Sequence, residues 1–65
     1  MTKDQETFKN YFVNIFEQHD ADIIRSISWM TRNVNKMPNT IRVAYHHLTG
    51  KECNEVIKEI CMLGG

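Results

Sequence analysis

Apolar side chains recur at helical spacing in two stretches near the two ends of the chain. In the first stretch, the positions i, i+3, i+4, i+7 and i+8 are occupied by Phe8, Tyr11, Phe12, Ile15 and Phe16. In the second, the same positions are occupied by Cys53, Val56, Ile57, Ile60 and Cys61. Because an α-helix turns by about 100° per residue, each set forms one apolar stripe. The pattern predicts amphipathic helices over residues 3–18 and 50–62.

Both stretches begin with a helix-start signal and the second also has a helix-end signal. In a capping box, a hydroxyl residue and the Gln or Glu three places later each bond the other's backbone N–H. Thr2 with Gln5 and Thr49 with Glu52 have this form. At the other end, glycines 64 and 65 follow the last apolar position, which is typical of a helix terminus.

A third apolar stripe lies between residues 23 and 36, within a predicted helix over residues 21–35. One face of this helix carries four aliphatic side chains or thioethers, Ile23, Ile27, Met30 and Val34. The opposite face, centred roughly 170° away, carries the only Trp among three cations, Arg25, Trp29, Arg32 and Lys36. Asp20 is expected to cap the helix. The pattern predicts that the aliphatic face packs into the core.

Pro38 separates this helix from a shorter one, predicted over residues 40–48 with Asn39 or Thr40 as its cap. Its inward positions are predicted to be Ile41, Ala44, Tyr45 and Leu48, and its outward positions Arg42, Val43, His46 and His47. Because Arg42 and His46 are one turn apart, we expect them to extend the basic surface of the preceding helix.

These elements predict an all-α fold, a small bundle of three to four short helices that forms a single domain over residues 1–65. The predicted core is Phe8, Phe12, Ile15, Phe16, Ile27, Met30, Val34, Ile41, Leu48, Val56, Ile57 and Ile60. A core of this size rarely supplies more than about 3–5 kcal/mol without a staple. We therefore expect the bundle to be dimeric.

The two cysteines do not provide that staple. Eight residues of helix separate Cys53 from Cys61 by about 12 Å, whereas a disulfide needs Cα atoms within roughly 7 Å. Reduced thiols are typical of proteins inside the cell. The polar first residues do not resemble a signal peptide, and no apolar run is long enough to span a membrane. The expected location is the cytoplasm.

Formal charge is zero overall but unevenly distributed along the chain. Residues 1–22 hold two basic and five acidic side chains, a charge of −3. Residues 23–51 hold five basic and no acidic side chains, and residues 52–65 hold one basic and three acidic side chains, a charge of −2. The basic middle indicates an acidic partner, or else pairing with the acidic helices of the same chain.

Catalytic and metal-binding patterns are weak. His46 and His47 point about 100° apart on a helix, and the cysteines lack the close spacing of zinc ligands. Both thiols lie on an apolar stripe without an adjacent base. The sequence therefore predicts no enzyme activity, no metal and no cofactor.

Binding is the predicted function, with Arg25, Trp29, Arg32, Lys36, Arg42 and His46 as the candidate contact residues. Trp and Arg are enriched at binding hot spots, which favours a small non-enzymatic regulator or inhibitor that docks on an acidic surface of a larger protein. Small phage or bacterial inhibitors are of this size. One alternative is a helix-turn-helix-like transcriptional regulator that binds DNA or RNA. The other is a structural subunit of an oligomer, in which Trp29 is buried between copies.

Overall fold

Four α-helices and one short 3-10 helix make up residues 1–64, which are the residues that the computed structural model describes. In chain order they are α1 (Lys3–Gln18), α2 (Ile23–Arg32), the 3-10 helix Val34–Lys36, α3 (Asn39–His47) and α4 (Gly50–Gly64). No strand occurs in this part of the chain. The prediction of a small all-α bundle is confirmed, and the bounds predicted for α1 are confirmed to the residue.

Both predicted capping boxes are present. Thr2 Oγ1 accepts from the Gln5 N–H at 3.2 Å, and Gln5 Oε1 accepts from the Thr2 N–H at 2.7 Å. The Thr49 and Glu52 pair repeats this arrangement at 3.2 and 2.9 Å. Gln5 is also buried, and its Nε2 donates to the Glu52 carbonyl at 3.2 Å. The first turns of α1 and α4 are therefore joined by a side chain that also caps α1.

Helix α1 lies at the centre of the bundle, because α2, α3 and α4 each make their main contacts with it. Its aromatic stripe is buried, with Phe8 and Phe12 stacked at 5.5 Å between ring centroids. The buried apolar residues are Phe8, Phe12, Ile15, Phe16, Met37, Ile41, Ala44, Val56 and Ile60. Met30, Leu48 and Ile57 are half-buried and pack around this core. The predicted inward stripes of α1, α3 and α4 are thus confirmed, except that Cys61 of the α4 stripe is exposed.

The connection between α1 and α2 corrects one predicted cap. Asp20 and Ala21 both adopt a left-handed backbone conformation, each with φ of 58°. This turn stops α1 and delays the next helix, so that α2 begins at residue 23 rather than 21. Asp22 is the cap, since its Oδ1 accepts from the Arg25 N–H at 3.0 Å. The prediction that Asp20 caps α2 is wrong, because Asp20 lies in the turn itself.

Helix α2 also ends earlier than predicted. The Asn33 side chain donates to the Trp29 carbonyl at 2.9 Å, which is the type of local bond by which Asn competes with helix continuation. The chain then passes through the 3-10 helix to Met37, which is buried in the core. Pro38 precedes α3, and no side chain caps that helix. The prediction that Asn39 or Thr40 is its cap is wrong, because Asn39 is already the first helical residue.

Two predicted core residues of α2 are not buried. Ile27 is 39% exposed and Val34 is 37% exposed, whereas Ser26, on a different face, is 0% exposed. A serine occupies little space, so the α2 backbone approaches its neighbours closely at this residue. With Ser26 inward, Ile27 and Val34 face outward, while Ile23 and Met30 of the same predicted stripe pack against the core.

The end of α4 is likewise different from its prediction, since the helix continues past Met62 to Gly64. A Cβ atom added to Gly64 would lie 2.7 Å from Phe16 Cζ and 3.3 Å from Ala21 Cβ. This glycine therefore permits close packing of α4 against α1 instead of ending the helix. Gly65, the second glycine of the predicted helix end, lies outside the described residues.

Candidate binding surface

Helix α2 is rotated relative to its predicted orientation. Its inward edge carries Ser26, fully buried, with Ile23 and Met30 half-buried on the same side. On a helical wheel the middle of this edge lies about 40° from the centre of the predicted aliphatic stripe. The Ser26 hydroxyl is satisfied within the helix, because its Oγ donates to the Asp22 carbonyl at 2.7 Å. Ser26 is the one fully buried residue that α2 contributes.

The rotation exposes an apolar stripe to solvent. Ile24 is 74% exposed, and Ile27 and Val34 are more than one third exposed. Ile24, Ile27 and Thr31 fall within about 60° of one another on the wheel, and Val34 follows in the 3-10 helix. Ser28, Arg32 and Arg25 continue the same surface on one side. We call seven residues, six from α2 and Val34 from the 3-10 helix, the outer face of α2: Ile24, Arg25, Ile27, Ser28, Thr31, Arg32 and Val34.

The cations of the outer face are only weakly engaged inside the chain. Arg25 Nε lies 3.6 Å from Asp22 Oδ2, in an exposed pair of the kind that contributes little to stability. Arg32 Nε donates to the Ser28 carbonyl at 3.4 Å. Within residues 1–64, Arg32, Lys36 and Arg42 form no ion pair. Most basic side chains in residues 23–51 are therefore not neutralised by ion pairs with the acidic helices.

Trp29 is half-buried and lies at the edge of α2 that faces α1. It lines a shallow groove of about 670 Å³ together with Lys36 from the 3-10 helix and Tyr11 and Gln18 from α1. Its ring centroid is 6.3 Å from that of His19. Of the three cations predicted to surround Trp29, Lys36 shares this α1–α2 groove, whereas Arg25 and Arg32 lie on the outer face.

The two candidate residues of α3 both flank Tyr45. His46 is exposed, with its ring centroid 6.0 Å from that of Tyr45. Arg42 lies one turn before Tyr45, and residues at this spacing are neighbours on a helix surface. Arg42 Nη2 donates to Asn39 Oδ1 at 3.5 Å, while its buried Nε has no hydrogen-bond partner in the described chain. The guanidinium is thus incompletely satisfied.

Tyr45 also lines a cleft of about 230 Å³ between α2, the 3-10 helix and α3. The other lining residues are Met30, Thr31, Val34 and Met37. We call this hollow the methionine cleft. Since Thr31 and Val34 belong both to the cleft and to the outer face, the two form one continuous surface.

Sequence reasoning missed the aliphatic part of this surface and the cleft. One signal for it was present, because Ile23, Ile24, Ile27, Met30 and Val34 span about 120° of the wheel even before Trp29 is included. A peripheral helix of ten residues buries a narrower arc than this. The excess apolar width indicates that part of the helix surface remains available for a second contact.

The remaining reactive groups offer little chemistry. Both cysteines are free; burial, and next the neighbouring Glu52 carboxylate, raise the pKa of the Cys53 thiol above its ordinary value. A thiol in that setting is largely protonated at neutral pH and is a poor nucleophile. Among residues 1–64, no three His, Cys, Asp or Glu side chains converge as they would around a metal ion. None of the helices in the same range has the length and apolar character needed to cross a membrane.

Comparison with protein-family models, with curated proteins and with solved structures gives no match to this chain.

Proposed function

We propose that this chain is a small non-enzymatic regulator or inhibitor that docks the outer face of α2 on an acidic surface of a larger protein. The observation that carries the proposal is the orientation of α2, which buries a serine and leaves Ile24 and Ile27 in solvent. Exposed apolar residues that lie together on one surface are typical of protein interaction sites. Arg25 and Arg32 lie beside them and supply the charge.

The positive charge of the outer face favours a protein partner with an acidic surface. Residues 23–51 contain no acidic side chain, and the preceding Asp22 forms only an exposed pair with Arg25, so basic groups predominate beside the apolar stripe. A partner with carboxylates around an apolar centre complements both parts of this surface. Long-range attraction between such surfaces raises the association rate, and the apolar centre contributes the affinity.

Self-association is the competing use of the same face, and it would give the dimer expected from the small size of the chain. A two-fold contact places the same patch of both copies together. Arg25 and Arg32 of one copy would then lie close to those of the other, and like charges in contact oppose association. The charge pattern therefore favours a different protein over a second copy.

Nucleic acid is the second competing partner. The cations suit phosphates, but the aliphatic stripe at the centre of the face has no counterpart on a phosphate backbone. Helix α4, which would be the recognition helix of a helix-turn-helix, exposes Glu55 and Glu59 beside its lysines. Carboxylates repel phosphates, so α4 is an unfavourable groove reader. The free thiols fit the cytoplasmic location that we propose for this binding protein.

Site-specific photo-crosslinking tests the proposal. A photoreactive residue at Ser28 lies in the middle of the outer face, and the matched control at Glu55 lies on the exposed side of α4. In cells that carry the gene, we expect Ser28 to crosslink to one protein and Glu55 not to do so. Arg32→Glu should reduce that adduct strongly, since loss of a hot-spot Arg costs about 2 kcal/mol or more.

Three other results would contradict the proposal. A nuclease-sensitive adduct at Ser28 would identify the partner as nucleic acid, and an adduct of twice the chain's mass would identify a second copy. Equal crosslinking from Ser28 and Glu55 would mean that the outer face of α2 is not a specific surface.

A further inference from the structure

The methionine cleft is a partly enclosed, largely apolar hollow that adjoins the outer face of α2. Met37 forms its floor and is buried, Met30 and Tyr45 are half-buried, and Thr31 and Val34 form an exposed rim. The cleft therefore has a closed bottom and an open mouth. The mouth is at the edge of the surface that we propose binds the partner.

Volume limits what can occupy the cleft. At about 230 Å³, it falls below the roughly 300–1,000 Å³ of pockets that hold drug-sized ligands or cofactors. A cavity of about 150 Å³ is large enough for benzene. The cleft thus has room for one phenyl ring or one branched aliphatic side chain, which is the size of a single anchor residue.

The lining favours an apolar side chain of variable shape. Methionine side chains are unbranched and polarizable, so Met30 and Met37 can adjust to different apolar groups and contact aromatic rings favourably. Tyr45 adds an aromatic wall. Binding hot spots are typically side chains that fill well-packed, desolvated pockets.

Two cations lie close in the chain to residues that line the cleft. Arg32 follows the rim residue Thr31 in α2, and Arg42 lies one turn before Tyr45 in α3. Neither guanidinium forms an ion pair within residues 1–64. No acidic residue occurs between residues 23 and 51 to compete for these groups. Carboxylates next to the anchor residue would therefore find two guanidinium partners.

We infer that the methionine cleft binds one Phe or Leu side chain of an acidic segment of the partner protein, with neighbouring carboxylates paired to Arg32 and Arg42. This inference rests on the proposed function and names the feature that the partner must carry. The occupant is an acidic peptide segment because Arg32 and Arg42 form no ion pair within residues 1–64 and because the volume admits one side chain.

Methionine methyl NMR of the full chain tests the inference directly. The chain has four methionines, of which Met30 and Met37 line the cleft, whereas Met1 and Met62 are exposed elsewhere. The probe is a blocked peptide of Glu and Ala with one central Phe. We expect the Met30 and Met37 methyl signals to shift saturably and the Met1 and Met62 signals to remain in place as internal controls.

Control peptides and variants of the chain test the anchor residue and the charge contact separately. Replacing the central Phe of the probe by Ala should weaken binding about tenfold or more, because the anchor would no longer be buried. Replacing Glu by Lys in the probe should abolish binding. The variant Thr31→Trp places a large ring at the rim and should block the cleft, while Lys58→Trp on the exposed side of α4 should bind as the unmodified chain does.

The failure of this inference is distinguishable from failure of the proposed function. If backbone amides of the outer face shift while the Met30 and Met37 methyl signals do not, the cleft is not occupied and the proposed surface stands. If the Phe and Ala probes bind equally, the anchor is wrong and the charge contact alone remains. If neither the α2 amides nor the methyl signals respond to any acidic probe, both the inference and the proposed function are overturned.

Discussion

Helices α1 and α2 carry similar sequence patterns but use them in opposite ways. Both have apolar residues at helical spacing over at least two turns. In α1 four of the five stripe residues are buried and Tyr11 is half-buried, because three other helices pack around it. In α2 the buried position is a serine, and two isoleucines face solvent. An apolar stripe therefore predicts that a segment is helical, but it does not show which face of that helix the rest of the chain covers.

The position of each helix in the bundle explains the difference. A central helix meets neighbours on several sides, so a broad apolar stripe is covered. A peripheral helix contacts the bundle along one edge only. Along that edge, a residue with a small side chain allows the helix to lie against its neighbours. In α2 that residue is Ser26, and the surplus apolar surface remains outside. We interpret that surplus as the binding surface.

Truncation of one apolar side chain in each helix should give the largest difference in stability between the two helices. Phe12→Ala in α1 removes a fully buried ring and should lower the free energy of unfolding by about 3–5 kcal/mol, enough to abolish cooperative unfolding in a domain of this size. Ile27→Ala in α2 should cost less than about 1 kcal/mol. Urea denaturation followed by far-UV circular dichroism measures both. Similar losses would mean that Ile27 is buried in solution.

A second pair of variants tests the orientation of α2. Ser26→Leu places a large side chain where the helix lies closest to its neighbours and should destabilise the fold by about 1–3 kcal/mol through overpacking. Ser28→Leu makes the same change on the exposed outer face and is the matched control. Thermal unfolding of the two variants gives the comparison. A stable Ser26→Leu variant would contradict the rotation of α2.

The smallest effect is expected in the turn that separates the two helices. Ala21 has φ of 58°, a region in which a Cβ atom is unfavourable by roughly 1–2 kcal/mol. Ala21→Gly should therefore raise the stability by about 0.5–1 kcal/mol, after the added freedom of the unfolded chain is subtracted. Asp20→Gly should gain less, because Asp tolerates this conformation better. A lower melting temperature for Ala21→Gly would show that the turn is not left-handed at this residue.

The sequence also explains which parts of the candidate site were predictable. Arg25, Trp29, Arg32 and Lys36 follow from the helical period, and the structure does place Arg25 and Arg32 together on the outer face. Trp29 and Lys36 lie instead in the α1–α2 groove, since the rotation of α2 turns that edge toward α1. The methionine cleft needs residues from α2, the 3-10 helix and α3, so no single helical period could reveal it.

By itself, the sequence determined the helices, their capping boxes and the core of α1, α3 and α4. These features depend on local hydrogen bonds and on stripes that one dominant neighbour covers, so they can be read from residues a few positions apart. Tertiary structure alone decided the rotation of α2, the burial of Met37 and the close contact of Gly64 with Phe16. Those features depend on how near two backbones can approach, which is set by pairs of residues far apart in the chain.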